Sequence, residues 1–431
     1  MSPKRNAPCP CGSGKKYKHC CGVPAVAPHA SIPALLNDAY RSIDADPARA
    51  ASLCQTILRR EPDNVDALQL IAAAMLRTGR GKSAISQLKR ALELQPANHV
   101  AHFNLGMGLE QCGDATAAFD SFRNAINLQP QYTDAQEMGL QVLGDLVKAD
   151  ASRFAVAESS GPECAPDPHA PMISIVVCSI DPHKFAAVSD NYRRVLQGWR
   201  HEIIGVHDAK SLCEGYNRGA SRAQGDIIVF SHDDIEILSP DLAAILARNL
   251  REHAMIGVAG ATAFPPQAQW LAAGWPYIHG QVANRLPGWS QYRVNVYGVG
   301  GPTSSGVQVV DGVFFAVRRE VVDRVRFDDA VFDGFHLYDL DFSYRVFKAG
   351  FSVAVSNEIA IVHYSGGHYG EVWSRYAKRF AEKHGADAST PTITPTYWSG
   401  AGLWLDAPGQ IRAFFRATIS TGQAGLRDMH G

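Results

Sequence analysis

Gly225-Asp-Ile-Ile-Val-Phe-Ser-His-Asp-Asp-Ile235 is a short apolar run that ends in a histidine and two carboxylates. It is too short for a helix and is bracketed by turn residues, which predicts a buried parallel strand over 226–230. Two similar runs precede it, at 173–180 and 201–208. Between them, 184–197 and 211–224 have helical spacing, and Ser239-Pro240-Asp241 makes a helix start. This alternation implies a doubly wound α/β sheet, whose ligands bind beyond the C-terminal ends of the strands. Those ends carry Asp181-Pro182, Asp208 and Ser231-His232-Asp233-Asp234. Acidic loops are usually just solvated, but carboxylates at three strand ends suit a nucleotide and a divalent cation. Diphosphate charge is neutralised by hard cations held through oxygen ligands.

With this stretch, His201-Glu-Ile-Ile-Gly-Val-His-Asp208 and Tyr216-Asn217-Arg218-Gly219 resemble the first half of the family 2 glycosyltransferases of the GT-A fold. The likeness is to the branch whose aspartate motif is preceded by histidine. Val309-Val-Asp-Gly-Val-Phe-Phe-Ala-Val-Arg-Arg319 resembles that family's apolar strand ending in basic residues. Gly334-Phe-His-Leu-Tyr-Asp-Leu-Asp-Phe-Ser-Tyr-Arg345 resembles its Glu-Asp-x-Asp-Leu-x-x-Arg helix start, with Tyr338 where glutamate is usual. In Ile361-Val-His-Tyr-Ser-Gly-Gly367, His363 matches a late histidine that often completes metal coordination; His368 is a weaker rival.

The resemblance spans about 172–385. It implies transfer of a sugar from a nucleotide-diphosphate sugar to a hydroxyl on a glycan or protein acceptor. Asp339 takes the position of the general base, in an inverting displacement if the family's chemistry carries over. Asp234 and His363 would hold Mn²⁺ or Mg²⁺ on the diphosphate, with His232, which replaces the usual first acid, or Asp233 as a further ligand. Asp181, Asp208, Asn217, Asp233 and Asp234 would face the donor, Asp208 toward the nucleoside. A helix N-terminus stabilises an anion, so Asp339 is expected to stay ionised, while Asp341 pairs with Arg345 one turn on. The aromatics Trp270, Trp275, Tyr277, Trp289, Tyr292 and Tyr297 suit either an acceptor site on a long loop or a satellite hydrophobic cluster.

Upstream the texture is periodic. Pro62, Pro96 and Pro130 are 34 residues apart, and in the same frame Gly79 recurs as Gly113, Ala67 as Ala101, Ala84 as Ala118 and Ala91 as Ala125. Small residues let antiparallel helices approach, glycine permits the tight turn and proline stops the second helix. This resembles the tetratricopeptide repeat, with copies at 63–96 and 97–130, a degenerate one from about 30 to 62 and a capping helix over 131–148. Such an array either spaces domains or offers a groove to a protein.

Four of nine cysteines, Cys9, Cys11, Cys20 and Cys21, fall within the first 22 residues, a clustering that suits tetrahedral zinc. His19 could replace one thiolate. Asn6 to Gly22 resembles the SEC-C zinc motif, and Lys4, Arg5, Lys15, Lys16 and Lys18 would present basic side chains to an acidic partner.

The chain has 431 residues and a formal charge of −1, from 41 Lys and Arg against 42 Asp and Glu, which argues against a whole-chain nucleic-acid or anionic-membrane binder. Without a run of about 18 apolar residues, no integral membrane segment is expected, and a cytoplasmic location is. The expected organisation is a zinc knuckle (1–24), all-α repeats (30–150), a Pro-rich linker (151–171), an α/β GT-A domain (172–385) and an unassigned tail (386–431). A non-catalytic adaptor with a degenerate transferase fold, acting through knuckle and repeats, is the alternative.

Overall fold

The computed structural model describes residues 7, 30–154, 169–265, 268–367, 369–385, 392 and 398–429. The four knuckle cysteines and His368 lie outside them. The chain divides into two compact units, Met1–Leu128 and Gln129–Gly431.

The first unit is helical. α1 (Ile32–Ser42), α2 (Pro47–Arg60), α3 (Val65–Arg77), α4 (Gly81–Leu94), α5 (His99–Gln111) and α6 (Ala115–Leu128) follow one another through short turns. The period of 34 is physical: Asn64 and Asn98 each accept from the backbone N–H three residues on and cap α3 and α5. Gly79 and Gly113 hold φ of 70° and 81°, the left-handed conformation that turns each first helix into its second. Ala50, Ala84 and Ala118, spaced by the same interval, are fully buried where helices meet.

The second unit opens with α7 (Thr133–Ala149), which packs on the C-terminal β14 (Trp398–Leu405). A Cβ on Gly400 would stand 2.9 Å from Leu140, so this contact is close. β14 pairs antiparallel with β8 (Tyr292–Val299). The last helix, α14 (Pro408–Met429), is tied in through buried Gln281 on β7 (Ile278–Asn284): its amide donates to Phe415 O and accepts from the Thr418 hydroxyl. The tail is thus an integral layer.

The sheet begins as anticipated. β1 (Ile173–Cys178) lies between parallel β2 (His201–Val206) and β3 (Ile227–Ser231), with α8 (Pro182–Val195) and α9 (Leu212–Arg222) as crossovers. Its side chains are nearly all buried, as a strand covered on both faces requires. The seven-stranded order is β2-β1-β3-β11-β5-β12-β9, where β5 is Met255–Gly257, β9 Thr303–Ser305, β11 Phe314–Arg318 and β12 Val353–Ser356. A second sheet runs β10-β6-β7-β13-β4, with β4 (Ile235–Ile237), β6 (Ala259–Ala261), β10 (Val309–Val310) and β13 (Ile361–His363), and β8 joins it through β7. α10 (Leu242–Glu252), α11 (Arg319–Arg324), α12 (Tyr338–Lys348) and α13 (Glu371–His384) complete the unit.

Two local differences from the sequence reading matter. The 309–319 run is not one strand: β10 pairs with β6 in the second sheet and β11 with β3 and β5 in the first. The chain changes sheets at Asp311-Gly312-Val313. Ser239 does not cap a helix either; its hydroxyl donates to Glu358 O and accepts from Ala360 N–H, and α10 starts at Leu242.

Candidate active site

α12 carries the acids of the Gly334–Arg345 stretch, and its lower face is fixed by aromatics. Phe342 stacks on Phe327 at 4.0 Å between ring centroids and meets Phe230 and Phe315 of the sheet. Leu337, just before the helix, is a buried residue with φ of 61°. In a non-glycine residue that conformation is strained, and such strain clusters at functional sites. It delivers Tyr338 and Asp339 to the Asp311–Val313 turn.

That turn organises the site. Asp339 Oδ2 accepts from Gly312 N–H at 2.8 Å, Tyr338 Oη lies 3.2 Å from Gly312 O, and His232 N–H donates to Val313 O at 3.2 Å. Asp311 accepts from Val313 N–H and from the Trp270 indole at 2.8 Å. These groups line a cavity of about 390 Å³ whose walls include His232, Trp270, Tyr297, Asp311, Asp339 and His363.

The expected ionisation of Asp339 is corrected here. Burial, and then the charge of Asp311, push its carboxyl up to about 7, although backbone N–H groups at the helix start pull the other way. Desolvation of a carboxylate outweighs the helix dipole. A base poised near neutrality suits proton transfer. Asp311→Asn should therefore move the rising limb of the pH–rate profile to lower pH, because a like charge leaves the cavity; an unmoved limb would mean Asp311 does not set the base.

The cation candidates converge through register. β13 pairs with β4 so that His363 faces Ile235, and Tyr364 N–H donates to Asp234 O. His363 Nε2 is 3.4 Å and His232 Nδ1 3.8 Å from Asp234 Oδ1, and one ligand atom from each residue fits within 4.8 Å of the others. Burial raises the Asp234 carboxyl, but His363, His232 and Ser365 together hold it below the ordinary range, so it is an anion. Burial and then the charge of His363 lower the His232 imidazole, against the pull of Asp234, Asp311 and Asp233. Two imidazoles and a carboxylate facing one gap fit a divalent cation.

The other named residues are placed as follows. Asp233 accepts from the Ser179 hydroxyl at 2.6 Å and, with Asp234, lines a second hollow of about 580 Å³ beside Lys184, Arg194 and Tyr364. Asp181 caps α8, accepting from His183 and Lys184 N–H. Asp208 pairs with Arg218 at 2.9 Å. Asn217 is buried and commits its amide to both backbone groups of Phe327. These last three are not lining residues of either cavity. Asp341 is buried and accepts from His384, Lys383 and Arg345 at 2.8, 2.7 and 3.2 Å, a network that includes the expected Arg345 pair. Of the six aromatics, Trp270, Trp289 and Tyr297 line the cavity. Sequence reasoning missed Asp311, Tyr369 and Trp373 in its wall. The Asp-Gly pair inside an apolar run was the available signal for Asp311.

Residues 174–384 match the model of a glycosyltransferase-like family, 5–22 the SEC-C motif and 44–105 the tetratricopeptide repeat. Curated relatives match over the SEC-C segment. Protein translocase subunit SecA of a Nitratiruptor species is 90% identical over 20 residues, 5% of this chain and 2% of that protein. The uncharacterized protein YccF of Bacillus subtilis (strain 168) is 95% identical over 19 residues, 4% of this chain and 5% of that one. The chain thus spans a small fraction of these relatives' length. Among solved structures, a mutant O-GlcNAc transferase of Thermobaculum terrenum is 23% identical, covering 40% of this chain and 36% of that one with a TM-score of 0.26. The first TPR domain of human RPAP3 is 16% identical, covering 27% and 91%, also at 0.26. The chain joins a SEC-C motif, tetratricopeptide repeats and a glycosyltransferase-like α/β domain.

Proposed function

We propose that the second unit transfers a sugar from a nucleotide-diphosphate sugar to a hydroxyl of a glycan or protein acceptor, with inversion. One observation carries this reading: a carboxyl poised near neutrality lines one cavity with His232 and His363, the two histidines that converge on Asp234, inside the family-matched segment. The acceptor hydroxyl lies against Asp339, whose Oδ2 is steadied by Gly312 N–H. As the acceptor oxygen bonds to the anomeric carbon and the bond to the donor phosphate breaks, its proton passes to the Asp339 carboxylate. Trp270, held by Asp311, packs edge-on against Tyr297 and forms an apolar wall suited to a sugar face. Asp234, His232 and His363 would hold Mn²⁺ or Mg²⁺, which supplies positive charge to the departing diphosphate. Asp233, Lys184 and Arg194, which line the adjoining hollow, would meet the donor's charged portion, while Asp181, half-buried, and Asp208, exposed, lie at the strand ends, Asp208 as the proposed nucleoside contact. Thermal-shift titration with a panel of nucleotide sugars plus Mn²⁺ tests this reading. A Mn²⁺-dependent rise in Tm with one donor supports it, and no response to any donor favours the non-catalytic adaptor.

The repeats would recruit the protein partner or acceptor, and the N-terminal motif would bind zinc through Cys9, Cys11, Cys20 and Cys21. Purified protein should then carry about one zinc by elemental analysis, lost on deleting residues 1–22 while donor hydrolysis persists, since structural zinc depends on its own ligand set. Zinc that survives the deletion would place the metal elsewhere.

A further inference from the structure

Two positions where the chain departs from the glycosyltransferase pattern are His232, in place of an acid, and Tyr338, in place of a glutamate. They are 106 residues apart in sequence, and the fold puts His232 Nε2 2.8 Å from Tyr338 Oη. We propose that Tyr338 is a positioning residue: its hydroxyl holds His232 as the Nε2–H tautomer, leaving the Nδ1 lone pair to complete a cation site with His363 and Asp234. This rests on the proposed cation site and adds what fixes its least expected ligand.

The hydroxyl has one proton and two polar neighbours. Gly312 O, 3.2 Å away, can only accept, so Tyr338 Oη donates to it and takes its second bond from His232 Nε2–H. The proton is then absent from Nδ1. That atom faces Asp234 Oδ1 at 3.8 Å, too far for a hydrogen bond. A lone pair and a carboxylate oxygen facing one another across this gap, with His363 Nε2 3.4 Å from the same oxygen, form a pocket of electron density that a cation fills. The hydroxyl also has a built place. A Cβ at Gly312 would run into Tyr338 Oη, so the glycine leaves the space that the phenol occupies. A ligating histidine whose other ring nitrogen is fixed by a hydrogen bond is the usual way a ring is aimed at a metal. The chemical class of the cation follows from the donor set. Two imidazole nitrogens and one carboxylate are softer than an all-oxygen set, which favours a first-row transition ion over Mg²⁺.

Co²⁺ titration of the full-length chain, read by its visible ligand-field bands, tests this without any turnover; the 1–22 deletion variant serves as background so that the knuckle contributes nothing. Tyr338→Phe should weaken Co²⁺ binding by about 10- to 100-fold, the range for outer-shell partners of metal ligands. ¹⁵N shifts of the metal-free imidazole should show the Nε2–H tautomer in the parent and a mixture in the variant, with near-UV circular dichroism unchanged. In a His232→Asp background the same Tyr338→Phe change should leave Co²⁺ affinity alone, because there is no tautomer to fix. Mg²⁺ should displace Co²⁺ only in large excess. Unchanged Co²⁺ affinity in Tyr338→Phe, or an equal loss in both backgrounds, would overturn the positioning role while leaving the cation site standing. Full Co²⁺ affinity in Asp234→Ala would instead remove the cation site itself, and the inference with it.

Discussion

Asp339→Asn should lower the rate of sugar transfer by about 10² to 10⁴, the range a positioned general base contributes, while donor affinity stays within about twofold of the parent. Each tenfold loss is about 1.4 kcal/mol of transition-state stabilisation, so the change removes roughly 3–5 kcal/mol. Asparagine keeps the volume and can still accept from Gly312 N–H through its carbonyl oxygen, but it takes no proton near neutrality. The parent should show transfer rising with pH around 7, where its carboxyl titrates, rather than around 4. Stability moves oppositely. A carboxyl raised above its unfolded value of about 3.9 contributes stability that is full below that pH and is lost as pH climbs through the folded value near 7. At pH 8 the parent therefore carries a buried charge the variant lacks, and Asp339→Asn should melt no lower than the parent. A marked fall in Tm would make Asp339 structural. Near-normal turnover in a folded variant would remove the base role and pass it to Asp311, since Asp341 is engaged by Arg345, Lys383 and His384 and Asp333 is paired with Arg379 and Tyr376.

What the sequence disclosed depended on how far apart the cooperating residues lie. The repeats were legible because each unit writes its own capping asparagine, turn glycine and packing alanines within 34 residues. The first three strands were legible because a strand buried on both faces must be continuously apolar. Asp234 and His363 stood out as polar residues at the ends of such runs, and register then joined them. The break at Asp311 was hidden because both halves of that run are apolar and only tertiary pairing shows that they serve different sheets. Asn217 looked like a donor contact, yet its partner, Phe327, lies 110 residues on in a loop with no motif of its own. The tail carried no periodic signal that names its partner. β14 adds to β8, whose Arg293, Asn295 and Tyr297 line the cavity, and Trp404 packs edge-on against Trp289 of the same wall. The aromatic segment therefore serves as cavity lining at some positions and as packing at others.

Asp234→Ala should abolish the divalent-cation dependence of donor binding and reduce donor affinity by at least about 100-fold, because the diphosphate would lose the one carboxylate that anchors its counter-ion beside two imidazole ligands. The effect should exceed that of His363→Ala or His232→Ala, which leave the charge of the site in place. Since His363 and His232 hold the Asp234 carboxyl well below the ordinary range, acidification to pH 5 should leave this anionic anchor in place. Isothermal titration with donor, at fixed Mn²⁺ and with chelator, separates the contributions. In the parent the chelator should remove most of the affinity, and in Asp234→Ala it should change nothing. Asp233→Ala gives the internal contrast: its carboxylate is engaged by the Ser179 hydroxyl and stands outside the three-residue group, so cation dependence should persist there. Should Asp233→Ala lose the cation dependence and Asp234→Ala retain it, the ligand roles of the two adjacent acids would be exchanged, and the three-residue group of His232, Asp234 and His363 would not be the cation site.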